Sequence, residues 1–134
     1  MKIFSLFILL FFGIQFQGFG QLTSVDVSVS MVSMNVGSGD SLQHGSVLEV
    51  QVMVNDISSL GEVIIDVLDA SSGNPLSKYS YTASQIASLG MFTDGKIQIH
   101  TGLINPSGAY IIKTSVSNLQ LANLPQVITT FPNN

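Results

Sequence analysis

Val25-Asp26-Val27-Ser28-Val29-Ser30-Met31-Val32-Ser33-Met34-Asn35-Val36 is the stretch that decides the fold. From Val25 to Met31 apolar and polar side chains alternate with a period of two, the pattern of a strand with one face against a core. The parity then changes, because Val32, Met34 and Val36 are the apolar members of the second half. The expectation is a bulge at about Met31–Val32 that swaps the buried face and carries the first strand of a sandwich from one sheet to the other.

Toward the C-terminus the same period recurs. After the turn residues Gly37-Ser38-Gly39-Asp40, Leu48, Val50, Val52 and Val54 form the inward set of a second strand, with Glu49 and Gln51 outward. Val63, Ile65 and Val67 are inward on a third strand, and Ile64 and Leu68 cover much of its other side, as expected of a central strand. The loop Asp69-Ala70-Ser71-Ser72-Gly73-Asn74-Pro75 leads to a strand with Tyr79 and Tyr81 on one face. Thr93-Asp94-Gly95 opens a strand with Ile97 and Ile99 inward, Tyr110 to Val116 makes another, and Val127 to Phe131 closes the series after Pro125. Seven short strands and no long helical pattern give an all-β, antiparallel two-sheet sandwich.

Two connectors share a pattern. Ile57-Ser58-Ser59-Leu60-Gly61 and Ile86-Ala87-Ser88-Leu89-Gly90 place apolar residues at i and i+3 and end on glycine. Each reads as one helical turn closed by a left-handed glycine and covering an end of the core.

Toward the N-terminus lies a segment of another kind. Lys2, an apolar run from Ile3 to Ile14 and Gly18-Phe19-Gly20 before Gln21 are the three parts of a secretory signal peptide. A membrane-spanning helix needs roughly 20 apolar residues, and Gln15 and Gln17 interrupt this run. Cleavage between Gly20 and Gln21 is therefore expected, leaving a single domain over 21–134 that is secreted or periplasmic, with no span after removal of the leader. Lipid anchoring through cysteine is excluded because the chain has none. The Phe-rich leader resembles those of Bacteroidetes-type bacteria.

Removing twenty of the 134 residues leaves 114, in which three lysines and no arginine face eight carboxylates, a net charge of −5. Nucleic-acid binding requires a basic surface, which Lys78, Lys96 and Lys113 do not make. An anionic lipid surface is disfavoured on the same ground. The absence of cysteine also removes a disulfide framework, a thiol nucleophile and Cys-ligated zinc.

Little in the inventory suggests catalysis. His44 and His100 are the only histidines, and no serine lies in a Gly-x-Ser-x-Gly setting. The expectation is a non-enzymatic protein with no cofactor. Asp66 and Asp69 at a strand end, and Asp40 and Asp94 in glycine-containing turns, are oxygen donors of the kind a structural calcium uses. Their spacing matches no calcium-binding loop, and aspartate is ordinary in turns.

Leu103-Ile104-Asn105-Pro106-Ser107-Gly108-Ala109-Tyr110-Ile111-Ile112 resembles the corner before strand F of immunoglobulin-like and fibronectin type III domains. The resemblance implies an immunoglobulin-like sandwich in which the Tyr110 hydroxyl bonds back to upstream backbone. With no tryptophan and no cysteine pair, the chain differs from antibody domains. Val63 to Leu68, Lys96 to Ile99 and Gly108 to Lys113 are together similar to the sorting domains of type IX secretion cargo, although the opening Pro-Asn-Pro strand of those modules is missing.

Two functional expectations follow. One is an accessory module whose loops around Gly37 to His44, Asp69 to Pro75 and Gly102 to Gly108 contact an envelope protein or glycan; Tyr79 and Tyr81, on one face by parity, either add an aromatic patch or, for at least one of them, pack in the core. The other is a structural subunit that forms homo-oligomers through its sheet edges, Leu22 to Val36 above all. Type IX cargo is a further alternative.

Overall fold

The structure is a computed structural model that describes residues 21–37 and 39–132. The expected leader, including Gly20, lies outside the described residues, as do Ser38, Asn133 and Asn134. Among the described residues eight strands are formed: β1 (Val25–Val36), β2 (Gln43–Val54), β3 (Leu60–Asp69), β4 (Pro75–Thr82), β5 (Phe92–Thr93), β6 (Lys96–His100), β7 (Tyr110–Asn118) and β8 (Val127–Phe131). They make an all-β sandwich of two four-stranded antiparallel sheets, β1-β2-β6-β5 and β4-β3-β7-β8.

The inward sets read from the sequence are the core. Leu48, Val50, Val52, Ile97 and Ile99 of one sheet meet Val63, Ile65, Val67, Ile112 and Val116 of the other. All are essentially inaccessible to solvent, and each contributes on the order of 2 kcal/mol by leaving water. β3 is central, between β4 and β7. The additional strand is β5, whose link to β6 is a two-residue turn with Asp94 (φ 53°) and Gly95 (φ 78°) both left-handed. This is the turn geometry that matches the twist of a hairpin.

The bulge expected at Met31–Val32 is not formed. β1 pairs with β2 residue for residue from Val25↔Val54 to Val36↔Gln43, with Met31↔Leu48 and Val32↔Val47 in one unbroken register. Val25, Val27, Val29 and Met31 pack on the core. Val32, Met34 and Val36 therefore lie on the opposite face of the sheet. Val32 stands across from Val47, which is fully buried yet separate from the core cluster. The two apolar sets belong to two faces of one straight strand, and β1 stays within its sheet.

The extra residue occurs on the other side of β2 instead. Ile99 lies across from Val50 and Ile104 across from Ser46, so five steps on one side match four on the other. Thr101 repairs the interruption. Its backbone N–H donates to Leu48 O (3.0 Å), its Oγ1 accepts from Leu48 N (2.9 Å), and its hydroxyl donates to Gly102 O (2.9 Å).

Both short connectors are helical. Residues Ile57–Ser59 form a 3-10 turn capped by Asp56, which accepts from Ser58 N. Helix α1 (Ala83–Ser88) has a reciprocal cap in which Thr82 Oγ1 accepts from Gln85 N and Gln85 Oε1 accepts from Thr82 N. Gly90 is left-handed (φ 66°), as expected. Gly61 is not: it is the extra residue of a bulge in β3, where a Cβ would collide with the Asn118 carbonyl. Its role is close approach of two backbones.

The N-terminal arm is fastened at this same end. Asn55 Oδ1 accepts from Thr23 N and Ser24 N, and its Nδ2 donates to Gln21 O at 2.7 Å. Leu22 is buried in the core. Among the described residues no helix is long and apolar enough to cross a membrane.

Candidate functional site

The three loops singled out in the sequence gather at one end of the sandwich. Ala70 N donates to Ala109 O (3.0 Å), joining 69–75 to the segment before β7. Ile104 N donates to Ser46 O (2.9 Å), and Leu103 lies so close over Gly45 that a Cβ there would be 2.7 Å from Cδ2. Between these loops is a cleft of about 320 Å³ lined by Leu76, Ser77, Tyr79, Ile104, Asn105 and Tyr110 among others.

The two tyrosines of this cleft hold the loops in place. Tyr79 Oη accepts from Gly102 N at 2.8 Å, and Tyr110 donates its hydroxyl proton to Asn105 O at 2.7 Å. Tyr79 and Tyr81 do share a face, but it is the inner one, and both pack on the core. Of the two uses open to them, an exposed aromatic patch and packing in the core, the structure shows the second.

The histidines take part in short polar contacts on the surface. His44 Nδ1 lies 2.8 Å from Asn35 Oδ1. Ser30, Glu49 and His100 form a row across β1, β2 and β6, with Ser30 Oγ donating to Glu49 Oε2 (3.5 Å) and His100 Nε2 3.4 Å from Glu49 Oε1. The carboxylate sits between hydroxyl and ring. In a serine relay the imidazole must touch the hydroxyl, and in this row it does not.

Among the described residues no three Asp, Glu or His side chains come together as a metal cage. Asp69 Oδ1 accepts from Ser71 N and Oδ2 from the Ser72 hydroxyl, as in an ordinary turn. Asp66 stands in register between Lys78 and Lys113 on the outer face of its sheet. Asp40 and Asp94 are at opposite ends of the sandwich.

The opposite end carries a surface that sequence reasoning missed. Ile57, Ala83, Ile86, Ala87, Gly90 and Phe92 line a second cleft of about 310 Å³, and its surface is mainly apolar. The β7–β8 turn borders this end, because Asn118 pairs with Leu60, directly after the 57–59 turn. Leu119 and Leu121 project from it at 60% and 67% exposure, and Leu89, directly after α1, is 63% exposed at the same end.

The leucine turn is held by hydrogen bonds to Asn118. Leu121 N donates to Asn118 O (2.9 Å), Asn118 N to Ala122 O (3.0 Å), and Asn118 Oδ1 accepts from both Gln120 N and Ala122 N. Leu121 is nevertheless left-handed, with φ 62°. A Cβ there costs roughly 1–2 kcal/mol that glycine would avoid. Two exposed leucines at i and i+2 read in sequence as one buried face of a strand, which is why they gave no signal.

Compared with protein-family models, curated proteins and solved structures, the chain matches none.

Proposed function

We propose that this chain is an exported, non-enzymatic accessory module of immunoglobulin-like topology that docks onto a protein or glycan partner in the cell envelope or outside the cell. Strand order supports the topology. If the eight strands are lettered A, B, C, C′, D, E, F and G, the sheets become A-B-E-D and C′-C-F-G, the arrangement of immunoglobulin-like sandwiches with an added C′. Export rests on the leader read from the sequence.

The observation that carries the docking role is Leu121, a large apolar side chain kept in solvent by a strained, hydrogen-bonded turn. Such strain persists only when the surroundings enforce it, and it clusters at functional positions. The test is a photo-crosslinking residue at position 119, with one at Thr130 on β8 as control, in the producing cell. An adduct from 119 alone is expected. Adducts from neither position, or equally from both, would overturn the reading.

A second reading, assembly through sheet edges, is favoured by β1. It is a twelve-residue edge strand with no bulge, lysine or proline, the devices that ordinarily protect an edge. Light scattering on 21–134 over a wide concentration range tests it. A ladder of species abolished by Ser28→Lys and Ser30→Lys supports assembly, and a monomer at every concentration removes it.

A further inference from the structure

We infer that the segment docking at the leucine end is a protein segment that presents apolar side chains flanked by lysine or arginine. This rests on the reading of that end as the docking surface and adds the chemistry of its occupant. The cleft of about 310 Å³ is at the small limit of ligand sites, a size suited to one or two inserted side chains. Leu89 lies between the lining residues Ala87 and Gly90, and Leu119 and Leu121 are exposed at the same end of the sandwich.

Charge selects the partner. Asp56 caps the 3-10 turn, Asp94 occupies the β5–β6 turn, Asp26 is the second residue of β1 and Glu62 lies near the start of β3, whereas among the described residues Lys96 is the one cation placed with them. The other two lysines outside the leader, Lys78 and Lys113, flank Asp66 in mid-sheet. Loops 55–59, 83–91 and 119–126 contain no lysine or arginine at all. A second copy docked end to end would set these carboxylates against their own kind, and an anionic bilayer would do the same. A basic, apolar segment complements both the charge and the surface.

The probes are a leucine–lysine amphipathic peptide of about 14 residues, roughly four helical turns, and its leucine–glutamate counterpart, with amide NMR on chain 21–134. The expected result is binding of the lysine peptide alone, with shifts confined to 86–92 and 119–122. High salt should weaken it through screening, as should Asp56→Asn with Asp94→Asn, which keep the cap and the left-handed turn. Leu121→Gly, which fits the turn without strain, should cost about tenfold or more in affinity, the loss expected of a central anchor. Ile128→Ser, on another exposed surface, should change nothing. Equal binding of the glutamate peptide at the same residues would overturn the charge assignment and leave the docking surface standing. No peptide binding despite an adduct from position 119 would likewise overturn only the chemistry. No binding and no adduct would overturn both.

Discussion

The Tyr110 hydroxyl donates to the carbonyl of Asn105, five residues upstream, across a gap of 2.7 Å. The hydroxyl end of the ring lies against Gly108, where a Cβ would be 2.6 Å from Oη and 2.8 Å from Cζ. The bond and the missing side chain depend on one another, since a larger residue at 108 would lift the hydroxyl off its acceptor. Tyr110→Phe should therefore cost about 1 kcal/mol, the net worth of one hydrogen bond. Gly108→Ala should cost at least as much, and the double variant less than the two together. Urea unfolding midpoints at constant slope measure all three.

Two buried threonines should respond in opposite directions to the same substitution. Thr114 on β7 is 1% exposed, and its Oγ1 has no hydrogen-bond partner among the described residues. Thr101 is 4% exposed and its Oγ1 holds Leu48 N and Gly102 O. Thr114→Val should stabilise the domain by about 1 kcal/mol through removal of an unsatisfied hydroxyl. Thr101→Val should destabilise it by about 1–3 kcal/mol, because the amide of Leu48 is left buried without an acceptor. Unfolding curves for the pair decide the matter: a shift of the same sign in both would refute the argument.

Periodicity made the core strands legible because it reports which side chains share a face, and β2, β3 and β7 have one face against the other sheet. It misled at Val32 for a related reason. A change of parity marks the side on which apolar groups lie, and a bulge is one way to produce it. Here the β1–β2 hairpin bears apolar groups on its other face, around Val47, with the ladder intact. The bulge beside Thr101 gave no such signal, since it falls where the strand pattern had already ended. Tyr79 and Tyr81 share a face, as parity predicts, but parity alone does not say which face is wet. The leucine end was invisible for want of any local difference between an exposed leucine and a buried one.

Glycines test close approach against backbone conformation. Gly61 is not left-handed, and its constraint is the Asn118 carbonyl, a backbone atom held by the β3–β7 ladder. Gly73 has φ 75° and open space around it. Gly73→Ala should then cost about 1 kcal/mol from the left-handed backbone alone. Gly61→Ala should cost more than about 3 kcal/mol, or abolish folding, because two strands must part to admit one methyl group. Expression with thermal unfolding of both variants checks the ranking, and equal losses would show that the approach at Gly61 relaxes freely.

Asp56 sets the expected response to acid. Its carboxylate accepts from the Ser58 hydroxyl (2.6 Å), the Ser59 hydroxyl (2.9 Å) and Ser58 N (3.1 Å). The Ser58 hydroxyl, followed by that of Ser59, holds its pKa below the ordinary 3.8, because these donors favour the charged form. A carboxyl whose folded pKa is depressed contributes stability that is complete above its unfolded value and is lost as pH falls through the folded one. The 57–59 turn should accordingly loosen below about pH 4, and Ile57, which lines the apolar cleft, should move with it. Carboxyl-detected NMR titration should place Asp56 below 3.8, and Ser58→Ala should return it toward that value. In Asp56→Asn the cap persists without the charge, so the acid sensitivity of the Ile57 amide should disappear. If Ile57 still shifts with acid in that variant, the turn is being released by another group.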